Sequence, residues 1–206
     1  MTTSVFADLP LREAVFGRRS LRRYRPDPVP RDLVAELLRG AIYAPSAHNR
    51  QPWRFALTDS PDRKVALAAA MGTRLRRDLV ADGAPPEAIE ADVTRSFDRI
   101  TAAPLLVVLC LTMADMDRYT DPTRARHEWT MAVQSVAMAG QNLLLMAHGA
   151  GLGACWMCAP LFCPDVVRSA LDLPEDWQPQ GLVTIGYPAQ ERTSPRNPLE
   201  ESVIWR

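Results

Sequence analysis

Five arginines fall within eight positions at Arg18-Arg19-Ser20-Leu21-Arg22-Arg23-Tyr24-Arg25. Guanidinium groups hold phosphate through paired, charge-assisted hydrogen bonds, and the Ser20 hydroxyl stands among them. The same spacing also describes an ordinary solvated basic segment, so the cluster needs company to count as a site. A second polar run, Ser46-Ala47-His48-Asn49-Arg50-Gln51, lies between Pro45 and Pro52, as expected of a rigid turn that faces a ligand. His48 reads there as a binding contact and not a general base, because no acidic partner is indicated nearby. A nucleophilic triad of Ser46, His48 and Asp27 lacks the nucleophile elbow such a serine needs. Cys155, Cys158 and Cys163 invite a metal reading. Their neighbours Trp156, Met157, Leu161 and Phe162 are apolar and no second pair matches, so they read as thiols packed like small hydrophobes.

The elements that must position these residues centre on the middle of the chain. From Trp129 to His148, Ala132, Val133, Val136, Ala137, Gly140, Leu143, Leu144 and Ala147 recur at spacings of three and four. That pattern predicts a long buried helix, with His148 as a favourable charge in its last turn and Gly149-Ala150-Gly151-Leu152-Gly153 as the bend that ends it. Before it, Asp8 is expected to cap a short helix that Gly17 ends, and Pro30 to open a second through Ile42. Trp53 to Thr58 reads as a half-alternating strand, and Ser60-Pro61 starts a third helix through Met71. The polar excursion from Arg74, with a helix over Pro86 to Ile100, reads as a mobile flap or surface insertion. The continuous apolar run Pro104 to Leu111 is the best central strand. Thr112 to Arg126 is expected as a loop, Ala154 to Met157 as a strand, Pro164 to Leu171 as a helix and Gly181 to Tyr187 as a strand. The tail from 188 to 206 carries Trp and Leu and is expected to wrap over another subunit. Helices interleaved with so few strands give an α+β layer and not a doubly wound dinucleotide fold. Gly151-Leu152-Gly153 follows a helix and precedes a strand, the reverse of a Rossmann glycine loop.

With 206 residues the chain suits a single domain, and 24 basic against 24 acidic side chains leave no net field to gather nucleic acid or an anionic membrane. Neither partner is expected. The longest apolar runs are too short or too polar to span a bilayer, and the first residues lack a signal pattern, so a cytoplasmic protein is expected. Four cysteines do not describe a disulfide scaffold.

Taken in order, Arg18-Arg19-Ser20-x-Arg22-x-Tyr24, Pro28-Val29-Pro30, Ala44 to Phe55, Gln141-Asn142-Leu143-Leu144-Leu145, Gly151 to Trp156 and Ile185-Gly186-Tyr187-Pro188 closely resemble the FMN-dependent nitroreductase family. The resemblance implies an α+β fold, a mixed or antiparallel sheet flanked by helices around the long central helix, in a domain-exchanged homodimer. It implies FMN at the subunit interface, with Arg18, Arg19 and Ser20 on the phosphate and ribityl chain and Arg22 supporting that loop. Asn49 and Gln51 would touch flavin, while Ser46 and His48 would approach the flavin of the other subunit. Gly151, Leu152 and Gly153 would pass the ring system, and Arg196 would reach the phosphate.

Within the family, Gly149 to Gly186 looks like the flavin domain of the bifunctional enzyme that finishes coenzyme F-420. The implied activity is transfer of a hydride through bound FMN from NADH or NADPH to a small acceptor, either the dehydro precursor of coenzyme F-420 or a nitro or quinone compound. A flavin-binding protein without turnover is the alternative from another class. Arg74, Arg76, Arg77, Arg95 and Arg99 read either as a lid that could meet an anionic acceptor or as a solvated helical excursion.

Overall fold

Alternate residues of a strand turn to opposite faces, so a strand that is apolar throughout needs cover on both sides. In the computed structural model, which describes residues 10–206, the run Leu105–Leu111 (β2) has that cover. Leu105, Val107, Leu109 and Leu111 meet a core built with helices α2 (Arg31–Ile42) and α5 (Pro122–Gly149). Leu106, Val108 and Cys110 meet a second core on the other face, built with α3 (Pro61–Ala81), α4 (Pro86–Thr101) and α6 (Pro164–Ala170). The result is three layers, helix, sheet and helix.

The sheet has the order β1-β2-β4-β3, with β1 at Trp53–Thr58, β3 at Gly153–Met157 and β4 at Gln178–Gly186. All three strand pairs are antiparallel, Trp53 opposite Leu111, Leu105 opposite Ile185 and Gly153 opposite Gly186. Among the described residues the one parallel contact is a single bridge from Ser20 to Ala154. The short helix α1 (Leu11–Gly17) precedes it; the expected cap at Asp8 lies outside the described residues.

Two expectations need correction. Residues 112–126 are not all loop, because α5 begins at Pro122, where Asp121 accepts hydrogen bonds from the N–H groups of Thr123 and Arg124 at 3.2 and 3.0 Å. An aspartate cap followed by proline is a strong local start signal, and it outweighs the charged residues that interrupt the apolar stripe beyond it. The third helix likewise does not stop near Met71 but runs to Ala81. Its polar extension packs on α4, where Arg76 grips Glu90 through two hydrogen bonds of 3.0 and 2.6 Å, and α4 buries Ile89 and Ile100. Residues 74–100 therefore form most of a helical hairpin that contributes to the core.

Candidate cofactor site

Residues 18–25 leave α1 in extended form and run beside the sheet. The Leu21 N–H donates to the Ala154 carbonyl at 3.0 Å, the Arg25 N–H to Tyr187 at 2.8 Å, and the Ala189 N–H returns to Arg23 at 3.1 Å. Tyr24 fastens the middle, its hydroxyl 2.5 Å from the Leu21 carbonyl and 2.7 Å from the Thr184 hydroxyl. Burial pushes that phenol up from its ordinary pKa, so it stays a hydrogen-bonding group at any ordinary pH. Arginines on such a stitched backbone have fixed origins, which lowers the entropy cost of closing them around an anion.

Arg18, Arg19 and Ser20 are half-buried together. Arg19 donates to the last carbonyls of α1, Phe16 at 2.6 Å and Arg18 at 2.9 Å, while its Nε is buried without a partner. The Nε of Arg22 is buried and unpartnered as well. Burial lowers the Arg18 pKa, and the neighbouring positive charges of Arg196 and then Arg19 lower it further. Arg196, far away in sequence, thus belongs to the same cluster. So does His148: its ring lies against the Gly17 backbone, and burial, then Arg18 and Arg19, hold its pKa below the usual imidazole value. The positive charge expected on His148 at the end of α5 is therefore disfavoured by burial and by the cations beside it.

The bend after α5 faces this cluster in an uneven way. Gly151 adopts φ +73° with open space where a side chain would project, so its backbone can be approached. Leu152 goes into the core and its N–H is already bonded to the Ala147 carbonyl at 2.8 Å. At Gly153 the room left by the missing side chain is taken by Leu21 and Tyr24. Contact from this bend to a ligand falls to the Gly151 side.

The Ser46 to Gln51 turn is as rigid as its prolines suggest. His48, Asn49 and Gln51 all have positive φ, at 50°, 55° and 50°. The Ser46 hydroxyl accepts the Gln51 N–H at 3.1 Å and so serves the turn and not a nucleophilic role. Helix α5 pins the turn from beneath. Ser135 Oγ accepts the Ala47 N–H at 3.3 Å, and one helix face further on Glu128 accepts the Asp117 N–H at 3.1 Å. Asp117 in turn holds Arg50 at 2.6 Å, and Asp115 holds Arg54 at 3.2 Å. Glu128 is fully buried with its other oxygen unpartnered, and no reading of the sequence singled it out. Its signal was present: it falls four residues before Ala132, on the buried stripe, where a carboxylate is out of place.

These two groups do not meet within one chain. The turn precedes Trp53 at one end of the sheet, and the Gly151 bend precedes Gly153 at the other. The seven residues of β2 between them span about 20 Å, and the path along α5 from Ser135 to Gly149 gives about 21 Å. Arg18, Arg19, Ser20, Arg22, Gly151 and Arg196 are brought together; Ser46, His48, Asn49 and Gln51 form a second, exposed group. Of the expected lid arginines, Arg74, Arg76, Arg77 and Arg95 pair with Asp165, Glu90, Asp78 and Asp92.

Comparison with known proteins agrees with this fold. The sequence signature of the nitroreductase family matches residues 15–187. A protein named NADH dehydrogenase from Thermus thermophilus is 33% identical, covering 96% of this chain and 97% of its own. A 5,6-dimethylbenzimidazole synthase from Rhodospirillum rubrum is 33% identical over 86% of this chain and 82% of its own. Among solved structures, a nitroreductase from Desulfovibrio desulfuricans in complex with FMN is 27% identical, with a TM-score of 0.74 over 97% of this chain and 98% of that one.

Proposed function

Because the chain belongs to the nitroreductase family, we propose that it is an FMN-dependent oxidoreductase acting as a homodimer, with NADH as its donor and a small molecule as its acceptor. The observation that carries this reading is the half-buried pair Arg18 and Arg19 beside Ser20, with the exposed Arg196 close enough to act on Arg18 and the Nε atoms of Arg19 and Arg22 unpartnered. Buried donors without acceptors and like charges without counterions are costly unless an anion completes them. A phosphate does so, and Ser20 adds a hydroxyl for the chain attached to it. When bound, FMN accepts a hydride equivalent from a reduced donor and passes it on. Arg18, Arg19 and Arg196 hold the phosphate, Arg22 holds the next segment, and the open backbone at Gly151 lets the ring system lie close. Asn49 and Gln51, with Ser46 and His48 at the base of their turn, serve a flavin that this chain shares with a second copy. The gap of about 20 Å between the two groups supports that arrangement.

The donor assignment draws on the relatives' name, with NADPH as the other candidate. The finer reading of the acceptor, the dehydro precursor of coenzyme F-420, rests on the motif from Gly149 to Gly186; nitro and quinone compounds are the alternative. The test starts with colour. The purified protein is expected to be yellow, and the Arg18→Ala, Arg19→Ala double variant folded but colourless. Mixing the yellow protein with NADH and NADPH without air should bleach the flavin with at least one of them. Failure with both and with reduced deazaflavin would leave only the binding-protein reading. Incubation with the dehydro precursor, read by mass for two added hydrogens, decides the acceptor.

A further inference from the structure

A cavity of about 850 Å³ opens between α4 and the arginine segment, lined by Arg22, Arg95, Arg99 and Arg192 among others. Its charges are not balanced. Arg95 is paired with Asp92 and Glu90 with Arg76, which takes both out of the count. Among the described residues, Arg22, Arg23, Arg99 and Arg192 have no carboxylate within salt-bridge distance, and the only other acidic side chain lining the cavity is Asp98. Burial lowers the Arg99 pKa, and Arg22 and Arg95 lower it further, so these guanidiniums feel one another. The cavity adjoins the cofactor segment through Arg22, two residues beyond Ser20, and the buried Cys155 thiol lies in the field of Arg22, Arg99 and Arg192.

The scaffold holds these cations in place independently. Arg99 stands on a packed helix, Arg22 follows the Leu21 bond to Ala154, and the turn before Arg192 is tied by the Ala189 N–H to Arg23. Repulsion fixed by a scaffold is relieved by whatever anion enters, and planar guanidiniums suit carboxylate and phosphate oxygens in particular. We propose that this cavity binds the anionic group, carboxylate or phosphate, of the acceptor, with Arg99 and Arg192 setting the preference for charged over neutral acceptors. The inference rests on the oxidoreductase reading above and names the substrate class for it.

The test uses the FMN-loaded, oxidised protein without donor, titrated by calorimetry with 4-nitrobenzoate, 4-nitrophenyl phosphate and the neutral 4-nitrobenzamide. At least one anion should bind about tenfold more tightly than the amide, and which one does so separates a carboxylate site from a phosphate site. Arg99→Gln and Arg192→Gln should each weaken that anion about fivefold or more, with amide affinity and flavin content unchanged. Equal binding of amide and both anions overturns the proposal. So does loss of FMN from both variants, which would make the cavity part of the cofactor site. A change in NADPH against NADH preference with anion affinity intact would assign the guanidiniums to the donor and also overturn it. A colourless protein that still separates anion from amide would sink the oxidoreductase reading and leave the anion site standing, so the two failures are distinguishable.

Discussion

At the scale of single residues, His148 converts the charge of the site into a dependence on pH. Its folded pKa lies below the value of about 6.5 expected in the unfolded chain. Above about pH 6.5 the imidazole is neutral in both states and folding pays nothing for it. As the pH falls below that, the unfolded state takes up the proton first, and stability is lost until the folded pKa is passed. We expect the flavin-free protein to lose more stability to urea between pH 7.5 and 5.5 than His148→Gln does; parallel losses would show that the imidazole is not held neutral. A bound phosphate acts in the other direction, offsetting Arg18 and Arg19 and raising the His148 pKa. The phosphate itself takes up a second proton at about pH 6, so FMN affinity should fall less on mild acidification in the parent protein than in His148→Gln.

At the scale of elements, β3 is locked between α5 and β4 by one side chain. The indole of Trp156 fills the space beside Gly140 on the helix and Gly181 on the strand, and a Cβ at either glycine would run into the ring. In an open helix Gly→Ala gains about 1 kcal/mol, whereas overpacking a core costs about 1 to 3 kcal/mol. Gly140→Ala should thus be destabilised on balance in chemical denaturation, and a more stable variant would refute the packing. Legibility in the sequence followed the range of each signal. The strand Leu105–Leu111 and the helix Arg31–Ile42 were readable because composition and period are local. The first turns of α5 were not, since Arg124, Arg126, His127 and Glu128 hide the stripe that Asp121-Pro122 opens. Arg18 to Arg22 stood out as a run. The meeting of Arg22, Arg99 and Arg192 around one cavity arises from folding, and nothing in the spacing of those residues announces it.

At the scale of the whole molecule, much apolar surface has no cover within the chain. Leu199 and Ile204 are exposed and Trp205 is 93% exposed, as are Leu11 and Phe16 on α1. No helix among the described residues is long and apolar enough to cross a membrane, so a lipid-spanning role for these helices is not available. In the proposed homodimer a second copy of the chain covers these groups and brings a Ser46 to Gln51 turn to the arginine cluster. Removal of residues 199–206 should shift the protein toward monomer in sedimentation and lower its flavin content together. A truncated chain that remains dimeric and fully yellow would separate the tail from both. The seam of residues 18–25 has one more outcome. Its partners are Ala154, Tyr187 and Ala189, far along the chain, so during synthesis the arginines have nothing to rest on until those residues have been made. Contacts so distant along the chain close late, and a nascent or prematurely ended polypeptide carries the basic run without the pocket. On the proposed reading, FMN binding waits until β3 and β4 have been made.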